Sequence, residues 1–541
     1  MIISQPQRFL IAIGVAALAV MLTAFFANPL FATNDDVAIA MIGAGFGMAA
    51  HPEPHLVYSH YGYGLLLNGL SHIVGPRAHG LVTLLAVGFS LGLCAYAMGK
   101  RPAFLLTGVL VAGGSIYANA LLAPQFTITS GVLVAAGVAC YIASTRRDEL
   151  SPFLLACIYF AVVLGGLIRP ASAIAVCIVC APLLIWIALK GQQDERRGIR
   201  YLIVSLCILG GMSLTLEWAA YYFSDDWSQV LEYNFTRALF NDFFRVPWVP
   251  DAPAYKAAGW SENDYLMFKD WFAQHDIYSF EKITSIAASV ATQGPVANVE
   301  QIFAAFGRLV TNPQVTAILS CQLILLFVFG QSRIVLLLLL IGVVLAVLLS
   351  ASTGRPPQDR VLIMIAATGL ILGLAQVGVQ TCNEKIQWRQ GISLSFAALL
   401  SLGIGLHTLW QHRTTVRASV AYRTKLTSAK YYVEGRTIGW GASLTWEWLV
   451  TPTQIYPPVL NRVIPSIGAL SRTPITDAAL IELGIRDLGK ALCLDSDIRI
   501  IAQPRSIRQL ETFCEERYQS RPGYRLVYSQ APRTRIYARA E

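Results

Sequence analysis

The chain has little charge. Only 13% of its 541 residues are Asp, Glu, Lys or Arg, about half the roughly 25% of a soluble domain, which excludes an ordinary water-soluble enzyme. It carries no Walker loop, dinucleotide fingerprint, HExxH motif or nucleophile elbow, so ATP-driven transport and hydride transfer lack support. No low-complexity segment or short-period repeat is visible, which excludes a solenoid. No Cys or His spacing matches a zinc site. Eight of the ten cysteines lie in or beside apolar segments, where Cys is a small core residue. Residues 1–7 hold no basic side chain, and Arg8 is the sole charge ahead of the first apolar run. That run is too long for a signal peptide and no small-residue cleavage site follows, so a retained span is expected.

What the chain has instead is apolar length. It is 55% hydrophobic with a mean hydropathy of +0.53. Apolar segments fall at 9–31, 56–74, 79–98, 103–122, 126–144, 152–168, 171–189, 201–223, 315–330, 334–350, 361–379 and 391–410, each near the length a bilayer requires. The expected fold is an all-α polytopic membrane domain of about 11–13 transmembrane helices over residues 1–411. Loops 100–101, 145–147, 190–200 and 385–389 are short and basic, hence cytoplasmic by the positive-inside rule. Loop 33–55, loop 224–312 and the tail 412–541 then fall outside. Placing both Asp35 and Lys100-Arg101 this way needs an odd number of crossings between them, whereas two segments intervene. One of 56–74 and 79–98 is therefore partial, re-entrant or interfacial, and His60, Asn68 and His72 make the first the weaker span.

Two soluble parts remain. Loop 224–312 has eleven acidic and six basic residues and many aromatics, including Trp227, Tyr233, Trp248, Tyr255, Trp260, Tyr265, Trp271 and Tyr278. Ser261 and Asp264 resemble a capping box opening a helix, and a second helix is expected from Ser279. The loop suits an active-site cover, while most of its aromatics read as interface anchors. The tail carries nineteen Lys and Arg against eleven Asp and Glu. Helices are expected at 477–492 and 506–518, with strands at 498–502, 525–529 and 534–538, making a small extracytoplasmic α/β domain. Its basic surface suits anionic head groups, a phosphate-bearing substrate, or simply solvent. In an oxidising compartment Cys493 and Cys514 could pair.

The candidate chemistry lies at outer span ends. Asp35 and Asp36 stand at the mouth of a span, just after Thr33 and Asn34. An ionisable pair at a bilayer boundary points to function, but Asp in a first helical turn also serves the helix dipole alone. Glu53, His55 and His60 follow around Pro52 and Pro54. Arg169 lies between two outer span ends, and Arg355, Asp359 and Arg360 in the short loop 352–360. The plainer readings are snorkelling for Arg169 and Arg355, structural histidines, and solvated or capping roles for Asp225, Asp226 and Asp242. A carboxylate facing guanidinium groups at a lipid–water boundary suits one reaction well. The carboxylate deprotonates an acceptor hydroxyl and the arginines neutralise a lipid-borne phosphate leaving group, which is glycosyl transfer from a polyprenyl-phosphate sugar.

This order of features resembles the GT-C superfamily of membrane-embedded glycosyltransferases. Asn34-Asp35-Asp36, a helix over 37–48, Pro52-Glu53-Pro54 and the apolar segment from Leu56 follow the family's first outer loop. Gly75-Pro76-Arg77 and the late loop ending Asp359-Arg360-Val361-Leu362-Ile363 are similar as well. Pro-Glu-Pro-His stands where many members have consecutive prolines. The resemblance implies Asp35 as catalytic base, with Asp36 orienting it or helping to bind acceptor or metal. Arg360, Arg355 and Arg169 would bind donor phosphate, and Glu53, His55 and His60 acceptor or substrate. It implies a polyprenyl-phosphate sugar donor, a glycan, lipid or protein acceptor, inversion at the anomeric carbon, and no nucleic acid. No cofactor is certain, and a divalent metal is compatible. The expected place is a bacterial-type plasma membrane with the active site outside. The competing class is a lipid-linked glycan flippase or other non-enzymatic transporter, which should carry polar groups or broken helices near the midplane. A polymerase or ligase of preassembled glycans would share the chemistry.

Overall fold

Segments apolar on all faces must satisfy their backbone internally in a bilayer, and a helix does so within one segment. The computed structural model describes residues 3–291, 299–352, 357–381, 387–428, 436–456, 462–530 and 534–539. Among the described residues nine helices are long and apolar enough to cross a membrane, or up to ten with one bent pair counted. Pro152–Ile168, of 17 residues, is a further, shorter apolar helix outside that count. Phe126–Arg146 is buried almost throughout and forms the centre of the bundle, packed on Ala78–Ala97, Pro152–Ile168 and Asp359–Gln380.

The count falls below the sequence expectation partly because segments 56–74 and 79–98 form one helical stretch, Tyr61–Ala97, whose first part is short. That part, Tyr61–Val74, has 14 residues, about 21 Å of rise against a hydrocarbon core of about 30 Å. It stops at Gly75, which has φ +65°. Ala78–Ala97, with 20 residues, is the full-length helix between Asp35 and Lys100. The two ends of the bundle are marked by contacts. At one, the Ile3 amide donates to the Lys100 carbonyl (2.8 Å), and Glu149 pairs with Arg8 (2.6 Å) and Lys100 (2.8 Å). At the other lie Asp35, Phe126, Arg169 and Arg360.

Asn34–Ala44 ends at Gly45, whose φ of +69° turns the chain and where any Cβ would strike Pro52. A Cβ at Gly64 would strike the Pro54 carbonyl. The Pro-Glu-Pro segment is thus gripped by two glycines. Val299–Thr311 is amphipathic, with Phe303 and Val310 exposed and Ala305 and Leu309 buried. It meets Pro313–Val328 at 79°, the posture of a helix lying along a boundary.

The soluble end is one assembly. Its five-stranded sheet has the order β2-β1-β3-β5-β4: β1 is Arg436–Trp440, β2 Ser466–Ile467, β3 Ile498–Ile501, β4 Tyr524–Gln530 and β5 Thr534–Arg539. β1 runs parallel to β2 and β3, while β5 is antiparallel to β3 and β4. The helix expected over 477–492 is two, Pro474–Glu482 and Leu488–Leu494. Gly484 at φ +70° ends the first and Asp487 caps the second. Cys493 and Cys514 form a disulfide. The Ser261–Asp264 capping box opens Glu262–Lys269, and Ser279 precedes Phe280–Val290.

The aromatic loop corrects its expected role. Trp227, Tyr233, Tyr255, Trp260, Tyr265 and Tyr278 are buried, not spread as interface anchors. All but Trp227 enter a core shared with the sheet, in which Phe272 meets Trp440 at 5.0 Å and Phe513 at 5.7 Å. Around that core the acidic loop pairs with the basic tail. Asp264 takes Arg517, and Asp270 takes Arg505 (2.8 Å) and Ser506 (2.5 Å). Trp388–Ser428, of 41 residues, joins bundle to sheet. Its His412 contacts the Ala27 carbonyl (2.9 Å) at the end of the first span, and its Tyr422 hydroxyl contacts Thr534 (2.5 Å).

Candidate active site

Adjacent positions on a helix point about 100° apart, and this separates the acidic pair. Asp36 is fully buried. Its carboxylate accepts from the Thr33 hydroxyl (2.6 Å) and the Phe126 amide (2.7 Å), with His79 Nε2 at 3.7 Å. His79 Nδ1 in turn lies 2.9 Å from the Tyr63 hydroxyl. Asp36 ties the start of Asn34–Ala44 to the start of Phe126–Arg146. Asp35 faces the other way. Its Oδ2 accepts from Arg360 Nη1 at 3.0 Å across 325 residues of sequence, and its side chain is 31% exposed.

Four helices begin around this ion pair: Asn34–Ala44, Phe126–Arg146, Pro170–Lys190 and Asp359–Gln380. Helix starts present amide N–H groups and the positive end of the dipole, so their convergence favours an anion. Two cavities meet here, and Arg169, Gln358 and Arg360 line both. The first, of about 300 Å³, runs among the bundle helices past Thr127, Ser172, Ala175, Val361 and Met364. The Ser172 hydroxyl is buried without a hydrogen-bond partner. Arg169 lies 4.5 Å over the Phe126 ring, and Arg360 5.7 Å from it. Burial, then repulsion from Arg360, lowers the Arg169 pKa to about 10, with Asp35 and Asp36 opposing. Arg169 thus stays a cation at neutral pH.

The second cavity, of about 470 Å³, lies toward the soluble end and contains Asp35. Its far side comes from Tyr58, Arg237, Asp242 and Trp271, and from the sheet domain through Trp446, Ser466 and Leu470. Tyr58 follows Val57, a β-branched residue held at φ +64°, a conformation met chiefly where surroundings impose it. Burial, then the charge of Asp35, raises the Tyr58 pKa, so the phenol stays protonated. Arg237 is buried, pairs with Asp242 (3.8 Å), bonds Asn234 Oδ1 (3.1 Å) and lies 4.4 Å over the Trp271 ring. Burial lowers its pKa while Asp242 counteracts.

The structure brings together Asp35, Arg360 and Arg169. Arg355 lies outside the described residues. Glu53, His55 and His60 do not line these cavities. Glu53 binds His55 Nδ1 (2.5 Å), whose ring stacks on Trp227 (4.6 Å) and whose Nε2 meets the Ala220 carbonyl (3.1 Å). His60 caps Tyr61–Val74 and contacts the Ser213 carbonyl (2.8 Å). These side chains lock the segment 53–60 onto Gln193–Tyr222. Asp225 and Asp226 are exposed in a first helical turn, as expected, whereas Asp242 lines the cavity. Sequence reasoning missed Tyr58, Arg237 and Trp271, for which no local motif gives a signal. Among the described residues no three His, Cys, Asp or Glu side chains are grouped to hold a metal.

No family model and no curated protein matches the chain. Among solved structures it is similar to the crystal structure of ArnT from Cupriavidus metallidurans bound to undecaprenyl phosphate. The TM-score is 0.48 and the identity 10%, over 98% of this chain and 97% of that one. The apo structure of ArnT from Cupriavidus metallidurans gives a TM-score of 0.41 and 13% identity over the same shares. The likeness runs nearly end to end and is loose.

Proposed function

We propose that this protein is an integral-membrane glycosyltransferase of GT-C type, transferring a sugar from a polyprenyl-phosphate donor to an extracytoplasmic acceptor. The observation that carries this is the Asp35–Arg360 ion pair at the meeting point of four helix starts and two cavities. The donor phosphate binds between Arg169 and Arg360, with the polyprenyl chain following the smaller cavity into the bundle. Asp35 takes the proton of the acceptor hydroxyl as its oxygen attacks the anomeric carbon. The bond from that carbon to the phosphate oxygen breaks, and polyprenyl phosphate leaves with both electrons, its charge met by the two guanidinium groups. Attack opposite the leaving group inverts the anomeric centre.

The plasma-membrane sidedness draws support from the short basic loops at the Lys100–Glu149 end and from the disulfide at the other. A lipid-linked glycan flippase would place polar groups midway along its spans, whereas the charged set here sits at helix ends. The test is purified protein in nanodiscs given labelled pentosyl and hexosyl polyprenyl phosphates with a cell-envelope extract as acceptor. Labelled sugar should appear on the acceptor with release of polyprenyl phosphate. Passage of intact donor across a proteoliposome membrane, with the sugar–phosphate bond uncleaved, would replace this reading with the flippase.

A further inference from the structure

The wall facing Asp35 contains groups that the transfer chemistry does not use. Trp271 lines the cavity with its backbone at φ +71°, an outlier for a bulky residue and costly unless the surroundings hold it. Arg237 covers the ring at 4.4 Å, and Asp242 lies 3.8 Å from the guanidinium. Arg237 Nη1 is buried with no hydrogen-bond partner, and so is Asn34 Oδ1 on the opposite wall. Buried polar atoms are ordinarily paired. The side chains that carry this unpaired donor and acceptor both line the cavity, which favours a ligand that can accept and donate hydrogen bonds on reaching them.

We infer that Trp271, Arg237, Asp242 and Asn34 form a carbohydrate clamp for a sugar ring of the acceptor. This rests on the glycosyltransferase reading and narrows its acceptor to a sugar-bearing molecule. A sugar offers hydroxyls that accept from Arg237 and donate to Asp242 and Asn34. It also offers a face of C–H groups that lies against an aromatic ring. The 470 Å³ of the cavity admits one or two such rings. The clamp belongs to the acceptor, not the donor, because Trp271, Arg237 and Asp242 come from the soluble loop above the bundle. The donor phosphate is tied to Arg169 and Arg360 at the helix starts beneath.

Saturation-transfer NMR on the full chain in nanodiscs tests this with simple probes: methyl α-mannopyranoside, methyl β-galactopyranoside and methyl β-arabinofuranoside. At least one should receive saturation at its ring protons from wild type and from Asp35→Asn. The signal should fall about fivefold in Trp271→Ala and in Arg237→Gln, the scale of a lost aromatic contact or guanidinium hydrogen bond. Trp271→Phe should fall less, and it carries the test together with Arg237→Gln if Trp271→Ala does not fold. Undiminished signal in both Trp271→Phe and Arg237→Gln, no signal from any probe, or displacement by the polyprenyl-phosphate sugar would overturn the assignment. Failure here alongside intact sugar transfer removes the clamp alone. Glycoside binding without any transfer removes the glycosyltransferase reading instead.

Discussion

The two walls of the larger cavity are made in different ways. The bundle wall consists of first-turn residues on rigid helices, with Asp35 and Arg360 joined at 3.0 Å. The soluble wall is assembled from short pieces far apart in sequence: Tyr58, Arg237 with Asp242, Trp271, and the strip from Ser466 to Leu470. Charge at helix ends is held by the backbone itself and suits a reaction whose atoms must be placed closely. A surface gathered from separate short pieces can change piecewise, which suits recognition of one acceptor among many. The proposed division is chemistry below and selection above.

The sharpest way to break that division is Asp35→Asn. It keeps the shape and removes the base, so kcat should fall about 10²–10⁴-fold while donor binding and thermal melting persist. Turnover at the wild-type rate would exclude Asp35. Next is Arg360→Lys, which keeps charge but loses the planar fork. Losing one stabilising donor costs roughly 10²-fold in kcat by analogy with oxyanion donors, and donor KM should rise with acceptor KM unmoved. A rise in acceptor KM alone would blur the two walls. The smallest effect on transfer should come from Asp36→Asn. One of its two accepted hydrogen bonds is lost inside the protein, for about 1–3 kcal/mol of stability, read as a lower melting temperature. Abolished transfer at an unchanged melting temperature would move Asp36 into the chemistry.

The bundle wall was legible because its signals are local. Asp35 after a long apolar run, and Arg360 opening another, declare themselves by position, and the resemblance ranked Asp35 over Asp36. Its finer content was not legible, since Asp36 is diverted by the Phe126 amide, ninety residues away. The resemblance offered His55 and His60 for substrate binding and the plainer reading made them structural; each ring nitrogen is within reach of a packing partner. The soluble wall left almost no trace. Hydropathy cannot tell an aromatic seated at a bilayer surface from one filling a soluble core, and the partner that decides it here is the distant sheet. Within that sheet β2 has only two residues, too few for any alternation to register.

Trp388–Ser428 carries a consequence for how such a protein can change. With 41 residues it is about 62 Å long, twice the hydrocarbon thickness of about 30 Å. It leaves the bundle at His412 and is fastened to the soluble end through Tyr422, on the sheet residue Thr534, and Arg423, on the Trp448 carbonyl. Floor and roof of the cavity are thus set by the phase of one continuous helix. Inserting or deleting a single residue between 412 and 422 would lift or lower the roof by about 1.5 Å and turn it by about 100°, swinging Tyr422 away from Thr534. Length variation is cheap in a flexible tether, but here it comes in helical steps, and most of them mismatch the two halves. The soluble domain is therefore not an interchangeable module, and its sequence can drift far more freely than its distance from the membrane.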